Sequence, residues 1–115
     1  MEKEILELYN LIKNKNIEKA YSVCKKLYRT NKNNKNVVKV MAYLFIQKSQ
    51  YHSAMDILEN FYHTGSIDKD FDYYINMGVC KKSVEDYEDS IYMYEQATNI
   101  DSGSPLCYMV PAEIY

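Results

Sequence analysis

The chain has 115 residues, of which 47% are hydrophobic and 26% are charged, and its formal net charge is −2. These values suit one folded domain, and they exclude a disordered chain and one whose overall charge would favour nucleic acid. The low count of 3 Gly and 2 Pro also argues against an all-β fold with many tight turns.

Three stretches of the chain repeat one helical pattern around a small residue. Ala20 in "NIEKAYSVCKKL", Ala54 in "QYHSAMDILENF" and Ser90 in "DYEDSIYMYEQA" occupy the same place, at intervals of 34 and 36 residues. A period of 34 residues, each unit being a helix–turn–helix, is typical of the tetratricopeptide repeat (TPR). We therefore predict an all-α, TPR-like α-solenoid of stacked antiparallel helix pairs in a single domain, 1–115. Its repeats lie at about 1–34, 35–70 and 71–104, and a partial helix follows at 105–115.

The first unit follows the pattern least well and the third follows it best. In the first unit the helix "ILELYNLI" fits only when it is shifted by one residue, so that Ile5, Leu8 and Ile12 face inward. The second unit has a two-residue excess around "HTGSIDKD", which we interpret as a longer loop. The third unit matches the TPR consensus at most of its places, namely Tyr74, Met77, Gly78, Tyr87, Ser90, Tyr94 and Ala97.

Gly78 lies inside a stretch that otherwise reads as continuous helix, where Gly costs about 1 kcal/mol relative to Ala. We interpret it as the point where two antiparallel helices cross, with Gly78 facing Ser90. The aromatic and aliphatic side chains expected to pack around this crossing are Tyr74, Met77, Tyr87 and Tyr94. A hinge or a helix C-cap is the alternative role for Gly78, but the helical periodicity continues through it.

The sequence contains no set of residues typical of a catalytic site or a metal site. The cysteines Cys24, Cys80 and Cys107 are odd in number and widely spaced, which indicates reduced thiols that act as small apolar side chains. Cys80 with His52 or His63 is the only conceivable thiol–imidazole pair, and the acidic run "EDYED" suits a helix start better than a cation loop. We predict a non-enzyme without cofactor, metal or catalytic residues.

The N-terminus lacks a signal peptide and no apolar run approaches the ~20 residues of a membrane span, so we expect a cytoplasmic protein without membrane contact.

Charge is divided unequally along the chain. Residues 1–36 contain nine Lys/Arg and four Asp/Glu, whereas residues 68–101 contain three Lys/Arg and nine Asp/Glu. This division is compatible with head-to-tail contacts between copies, as in a homodimer, or with a basic patch for an acidic partner. Solvated faces of surface helices are the simpler explanation.

Recognition of another protein is the function that remains, because stacked helix pairs present the first helix of each unit on a concave face. In the first unit Tyr9 and Lys13 are candidates for this face. In the later units the predicted partner-binding residues are Lys39, Tyr43, Ile46 and Gln47, and then Asp72, Ile75, Asn76, Val79 and Lys82. The apolar members would seat anchors of an extended or helical peptide. Alternatively, Ile46, Ile75 and Val79 pack only between repeats.

From residue 71 to 115 the chain resembles the class II chaperones of bacterial type III secretion. The resemblance rests on "FDYYINMGVC" with Gly78 and Cys80, on "YEDSIYMYEQA", on Pro105 and on "PAEIY". These match the family's G-x-C, its aromatic-acidic helix start, its Pro and its A-A-E element. The resemblance implies a small cytoplasmic TPR protein that holds a short segment of a secreted translocator in its groove. The family normally completes the repeat that begins here at 105–115, and a truncation after Tyr115 would explain this difference.

A scaffold is the alternative function. In that case the chain would be a TPR block of a larger multi-subunit assembly, such as a subunit of the anaphase-promoting complex. A chaperone predicts a peptide groove, and a scaffold predicts a longer chain with an interface on the backs of the helices.

Overall fold

The computed structural model describes residues 2–65 and 68–100. Six α-helices and no strand occur in this part of the chain, which confirms the all-α prediction. The helices are α1 (Glu2–Lys13), α2 (Ile17–Thr30), α3 (Lys35–Gln47), α4 (Tyr51–Thr64), α5 (Phe71–Ser83) and α6 (Tyr87–Ile100). They belong to two compact units, Met1–Gly65 with α1–α4 and Ser66–Tyr115 with α5 and α6. The partial helix predicted at 105–115 lies outside the described residues.

The same short turn joins the two helices of each pair. Lys15, Ser49 and Glu85 have positive φ angles of 61°, 60° and 67°. In each turn the next backbone N–H donates to the carbonyl five residues earlier, at 2.8 Å in all three cases. This is the Schellman motif, which usually has Gly at the left-handed position. Here a side chain occupies that position each time, at a cost of roughly 1–2 kcal/mol per residue.

Side-chain caps fix the start of the first helix in two of the pairs. The side chain of Asn34 accepts a hydrogen bond from the Val37 N–H at 3.2 Å, and that of Asp70 accepts one from the Tyr73 N–H at 2.9 Å. Such caps satisfy N–H groups that have no partner within the helix, and each is worth about 1 kcal/mol. The Asn/Lys run before α3 therefore ends in a capped helix start, as expected for a turn between units.

The core of the first unit lies along the inner faces of α1 to α4. Leu8, Ala20, Cys24, Ala42 and Leu58 are fully buried, and each helix packs on the next one in the chain. The inward face predicted for α1 is confirmed at Leu8 and at Ile5, which is 7% exposed, while Ile12 is half-buried.

Residue size varies systematically at the place where the helices of a pair cross. Seven residues before the left-handed turn residue stand Leu8, Ala42 and Gly78, and nine residues after it stand Cys24, Leu58 and Tyr94. All six are buried, and a smaller residue in the first helix goes with a larger one in the second. Close contact between the two helices is most extensive in α5–α6, less so in α3–α4 and least in α1–α2. The size of the first-helix residue thus follows the closeness of the packing.

The crossing of α5 and α6 confirms that Gly78 and Ser90 face each other. The Ser90 hydroxyl donates a buried hydrogen bond to the Gly78 carbonyl at 2.8 Å. A Cβ on Gly78 would lie 2.7 Å from Cε1 of Tyr94, so the aromatic ring of Tyr94 occupies the space that Gly78 leaves. Met77 is buried as expected, at 1% exposure.

The expected packing of Tyr87 at this crossing is wrong. Tyr87 is the first residue of α6, three residues before Ser90, and it is 48% exposed rather than enclosed at the crossing. Tyr74 is half-buried, with its ring 5.3 Å from that of Tyr73.

Candidate partner-binding surfaces

The predicted residues of α3 form one stripe along the helix. Lys39, Tyr43, Ile46 and Gln47 are spaced i, i+4, i+7 and i+8, so they share a face. Tyr43 is 37% exposed and Gln47 is also exposed, whereas Lys39 and Ile46 are half-buried. The rest of α3 is anchored in the core by Val37, Val38, Val40, Met41, Ala42 and Leu44. This anchoring fixes which residues of α3 point away from the core.

The helix α1 adds to the same side of the first unit. Tyr9 precedes its turn by the same number of residues as Tyr43 does, and Tyr9 is 48% exposed. Lys13 is exposed in the last turn of α1, and α1 contacts α3 directly. Two tyrosines at equivalent places on neighbouring helices therefore remain available for contact. Leu6, at 62% exposure, was missed from the sequence, although it lies three residues before Tyr9 and thus on the same side of α1.

The predicted residues of α5 form a second stripe, in the second unit. Its members are spaced i, i+3, i+4, i+7 and i+10, and they are Asp72, Ile75, Asn76, Val79 and Lys82. Asp72 is exposed and the other four are half-buried. Val79 occupies the position in α5 that corresponds to Tyr43 in α3. Part of each apolar side chain is thus accessible to a partner, and part is packed within the protein.

The two described cysteines are core residues and not nucleophiles. Cys24 and Cys80 are free thiols with no exposed surface, and burial raises the pKa of each to about 12. Both thiols are therefore protonated at neutral pH, where a nucleophile would have to be a thiolate. The Cys24 Sγ lies 3.8 Å from the Val37 carbonyl oxygen, to which it donates a weak hydrogen bond. The prediction that these cysteines act as small apolar side chains is confirmed.

The acidic run at the start of α6 makes contacts within the fold. The Lys81 ammonium lies 3.1 Å from a carboxylate oxygen of Asp89 and 4.0 Å from one of Asp86. Asp86 also accepts a long hydrogen bond of 3.5 Å from the Asp89 N–H. Acidic groups at this end of a helix complement its dipole. No group of three or more potential metal ligands occurs in residues 2–65 and 68–100, and none of their helices is long and apolar enough to cross a bilayer.

Solved structures of similar shape identify the fold. The Arabidopsis OM64 TPR domain superposes with a TM-score of 0.84 at 15% identity, covering 98% of this chain and 92% of that domain. MamA 41-end from Desulfovibrio magneticus RS-1 gives 0.82 at 17% identity, covering 98% of this chain. The chain has a tetratricopeptide-repeat fold. It spans 63% of the Desulfovibrio structure, and at these identities the likeness concerns the TPR fold alone.

Comparison by sequence finds no further relative of this chain. No protein family matches the chain, and no curated protein matches it in sequence. The partner of this TPR fold must therefore be argued from the surfaces themselves.

Proposed function

We propose that the chain is a non-catalytic protein-binding module that holds a segment of another protein against its first helices. The observation that carries this proposal is the pair of exposed tyrosines, Tyr9 and Tyr43, at equivalent places on the adjacent helices α1 and α3. Tyrosine provides a large apolar contact area and a hydroxyl group at little entropic cost, which suits recognition of a peptide. In the second unit, the stripe of α5 with Ile75 and Val79 offers apolar side chains for contacts of the same kind.

The partner that the resemblance to class II chaperones supports is a secreted translocator of a type III secretion system. In that case the module is a small cytoplasmic chaperone, and it keeps a short translocator segment unaggregated until export. The support comes from "FDYYINMGVC", in which Gly78 and Cys80 belong to the tight core of α5–α6. The "PAEIY" part of the resemblance lies outside the described residues.

A scaffold function is supported by a different surface. Tyr92 and Ile100 are each 52% exposed on α6, which is the second helix of its pair. A TPR block inside a larger assembly, such as one resembling the anaphase-promoting complex, would use this side rather than the first helices.

Capture of partners from the native cell lysate, followed by mass spectrometry, distinguishes the two functions. The test variant is Tyr43→Ala with Ile75→Ala, and the matched control is Tyr92→Ala with Ile100→Ala, which removes similar apolar area from α6. Far-UV circular dichroism must show unchanged helicity in both variants.

For the chaperone, a secreted and partly hydrophobic partner is lost only in the Tyr43/Ile75 variant. A stable multi-subunit complex lost only in the Tyr92/Ile100 variant would instead establish the scaffold. A partner retained by both variants would place the binding surface elsewhere.

A further inference from the structure

The outer face of α2 carries a basic stripe. Lys19, Lys26 and Arg29 are all exposed and are spaced i, i+7 and i+10, so they lie along one side of the helix. Between Lys19 and Lys26 the same side carries Ser22, which is exposed and small, and Val23, which is half-buried. The opposite side of α2 is anchored in the core by Ala20 and Cys24.

The outer face of α6 carries an acidic stripe with an aromatic residue at its centre. Glu88 and Glu95 are exposed seven residues apart, and Tyr92 lies between them with 52% of its surface accessible. Ser90, Tyr94 and Ala97 anchor the opposite side of α6 in the core. Within the described residues, neither these glutamates nor the basic groups of α2 take part in an ion pair.

The two stripes match when the helices are placed antiparallel. Counting backwards along α2, the steps from Lys26 to Ser22 and on to Lys19 are four and three residues. Counting forwards along α6, the steps from Glu88 to Tyr92 and on to Glu95 are also four and three. Both outer pairs are thus separated by about 10.5 Å along a helix that rises 1.5 Å per residue.

This register pairs three positions of the α2 stripe with three of the α6 stripe. Lys26 meets Glu88, Lys19 meets Glu95, and the Tyr92 ring lies over the small Ser22 side chain between the two ion pairs. Arg29 lies beyond this match, because Glu85 belongs to the left-handed turn before α6 and not to the helix.

The remaining second helix, α4, has no such pattern. Its corresponding exposed residues are Ser53, Asp56, Asn60 and His63. The single-sign stripes are therefore particular to α2 and α6, and they are not a general property of second helices in this chain.

We propose that α2 of one copy docks antiparallel on α6 of a second copy of this chain. Each copy carries both stripes, so the contact is heterologous and continues from copy to copy into chains or rings. The interface is small and rich in charge, which makes the association weak and strongly dependent on salt. It uses the second helices, so it leaves the proposed partner-binding stripes of α1, α3 and α5 available and does not depend on them.

Charge-reversal variants test this contact by sedimentation velocity over a range of concentrations. Lys19→Glu with Lys26→Glu gives a chain whose two stripes are both acidic, and Glu88→Lys with Glu95→Lys gives one whose stripes are both basic. The native chain should associate at ~50 mM salt and weaken at least tenfold at ~500 mM, where the screening length falls to a few ångströms. Each variant alone should sediment as a single chain, and an equimolar mixture of the two should associate again.

Lys3→Glu and Glu59→Lys are the controls, because each reverses the charge of one exposed residue outside the two stripes, on α1 and on α4. Association should be unaffected in both. Three results would overturn the proposal: a native chain that sediments as a single chain at low salt, double variants that associate as the native chain does, or a mixture that does not recover association. None of these measurements involves the partner captured by α3 and α5, so the two proposals fail independently.

Discussion

Substituting Gly78 by Ala is expected to destabilise the protein, although Ala is the better helix former. The gain in helix propensity is about 1 kcal/mol. Against it, the new Cβ would lie 2.7, 2.9 and 2.9 Å from Cε1, Cδ1 and Cζ of Tyr94. Carbon atoms pack at about 3.5–4.0 Å, so the ring would have to move by roughly 1 Å.

The ring of Tyr94 has little room to make that movement. Tyr94 is 1% exposed, so its ring is enclosed on all sides, and Ser90 ties the backbones together through its bond to the Gly78 carbonyl. Overpacking of this kind costs about 1–3 kcal/mol. With three ring atoms displaced we place the cost near the upper end, which leaves Gly78→Ala roughly 1–2 kcal/mol less stable than the native chain. Gly78→Leu should be worse, with a clearly lower melting temperature.

A double-mutant cycle isolates the cause. Tyr94→Leu alone should lower the free energy of unfolding by about 2 kcal/mol because it leaves a cavity. In that background the clash is gone, so Gly78→Ala should become stabilising by up to about 1 kcal/mol. The resulting pair of Ala and Leu is the one found at Ala42 and Leu58 in α3–α4. Urea unfolding followed by circular dichroism measures all four chains, and a Gly78→Ala chain at least as stable as the native one would refute the reasoning.

Three further predictions concern the turns, the helix crossing and the thiols. Ser49→Gly should raise the free energy of unfolding by about 1 kcal/mol because Ser49 has a φ of 60°, whereas the exposed helical control Ser53→Gly should lower it. Ser90→Ala should cost about 1 kcal/mol in urea unfolding through the lost hydroxyl bond, whereas Ser90→Val should cost more because it also forces the helices apart. Cys24 and Cys80 should resist a thiol reagent in the native state and react on unfolding. Since their pKa is raised from 9.0 to about 12, their contribution to stability is present below pH 9 and is lost as the pH rises towards 12.

The helix pairs could be predicted because their signal is local and repeated. Ala20, Ala54 and Ser90 each stand three residues after the start of a second helix, so their spacing in the sequence is the spacing of the helices. The role of Gly78 was predictable for the same reason, since a Gly inside a helical period has few explanations. Which side chain fills the space above it was not predictable, because the consensus places aromatic residues at both Tyr87 and Tyr94. In the structure Tyr94 is enclosed, whereas Tyr87, the first residue of α6, is exposed.

The left-handed turns within the helix pairs could not be predicted from the sequence. The left-handed position of such a turn is usually occupied by Gly, but here it is occupied by Lys15, Ser49 and Glu85, whose side chains have no chemical property in common. What they share is position, since each stands between two helices whose apolar faces must meet in an antiparallel pair. Burial along both helices therefore imposes the strained conformation, and its cost of roughly 1–2 kcal/mol is offset by packing of the pair.

Surface function was less predictable than the fold because outward positions carry few constraints. The sequence indicated which residues of α3 and α5 lie away from the core, but not which of them a partner contacts. The match between Lys19, Ser22 and Lys26 on α2 and the stripe of α6 became visible only when exposure removed the inward residues from both helices. The net charges of 1–36 and 68–101 indicated that one end is basic and the other acidic. Exposure along α2 and α6 then showed which of these charged residues form the two stripes, whose residue spacings are equal. A specific docking register thus follows from the spacing of exposed charges, which the fold determines, rather than from their number.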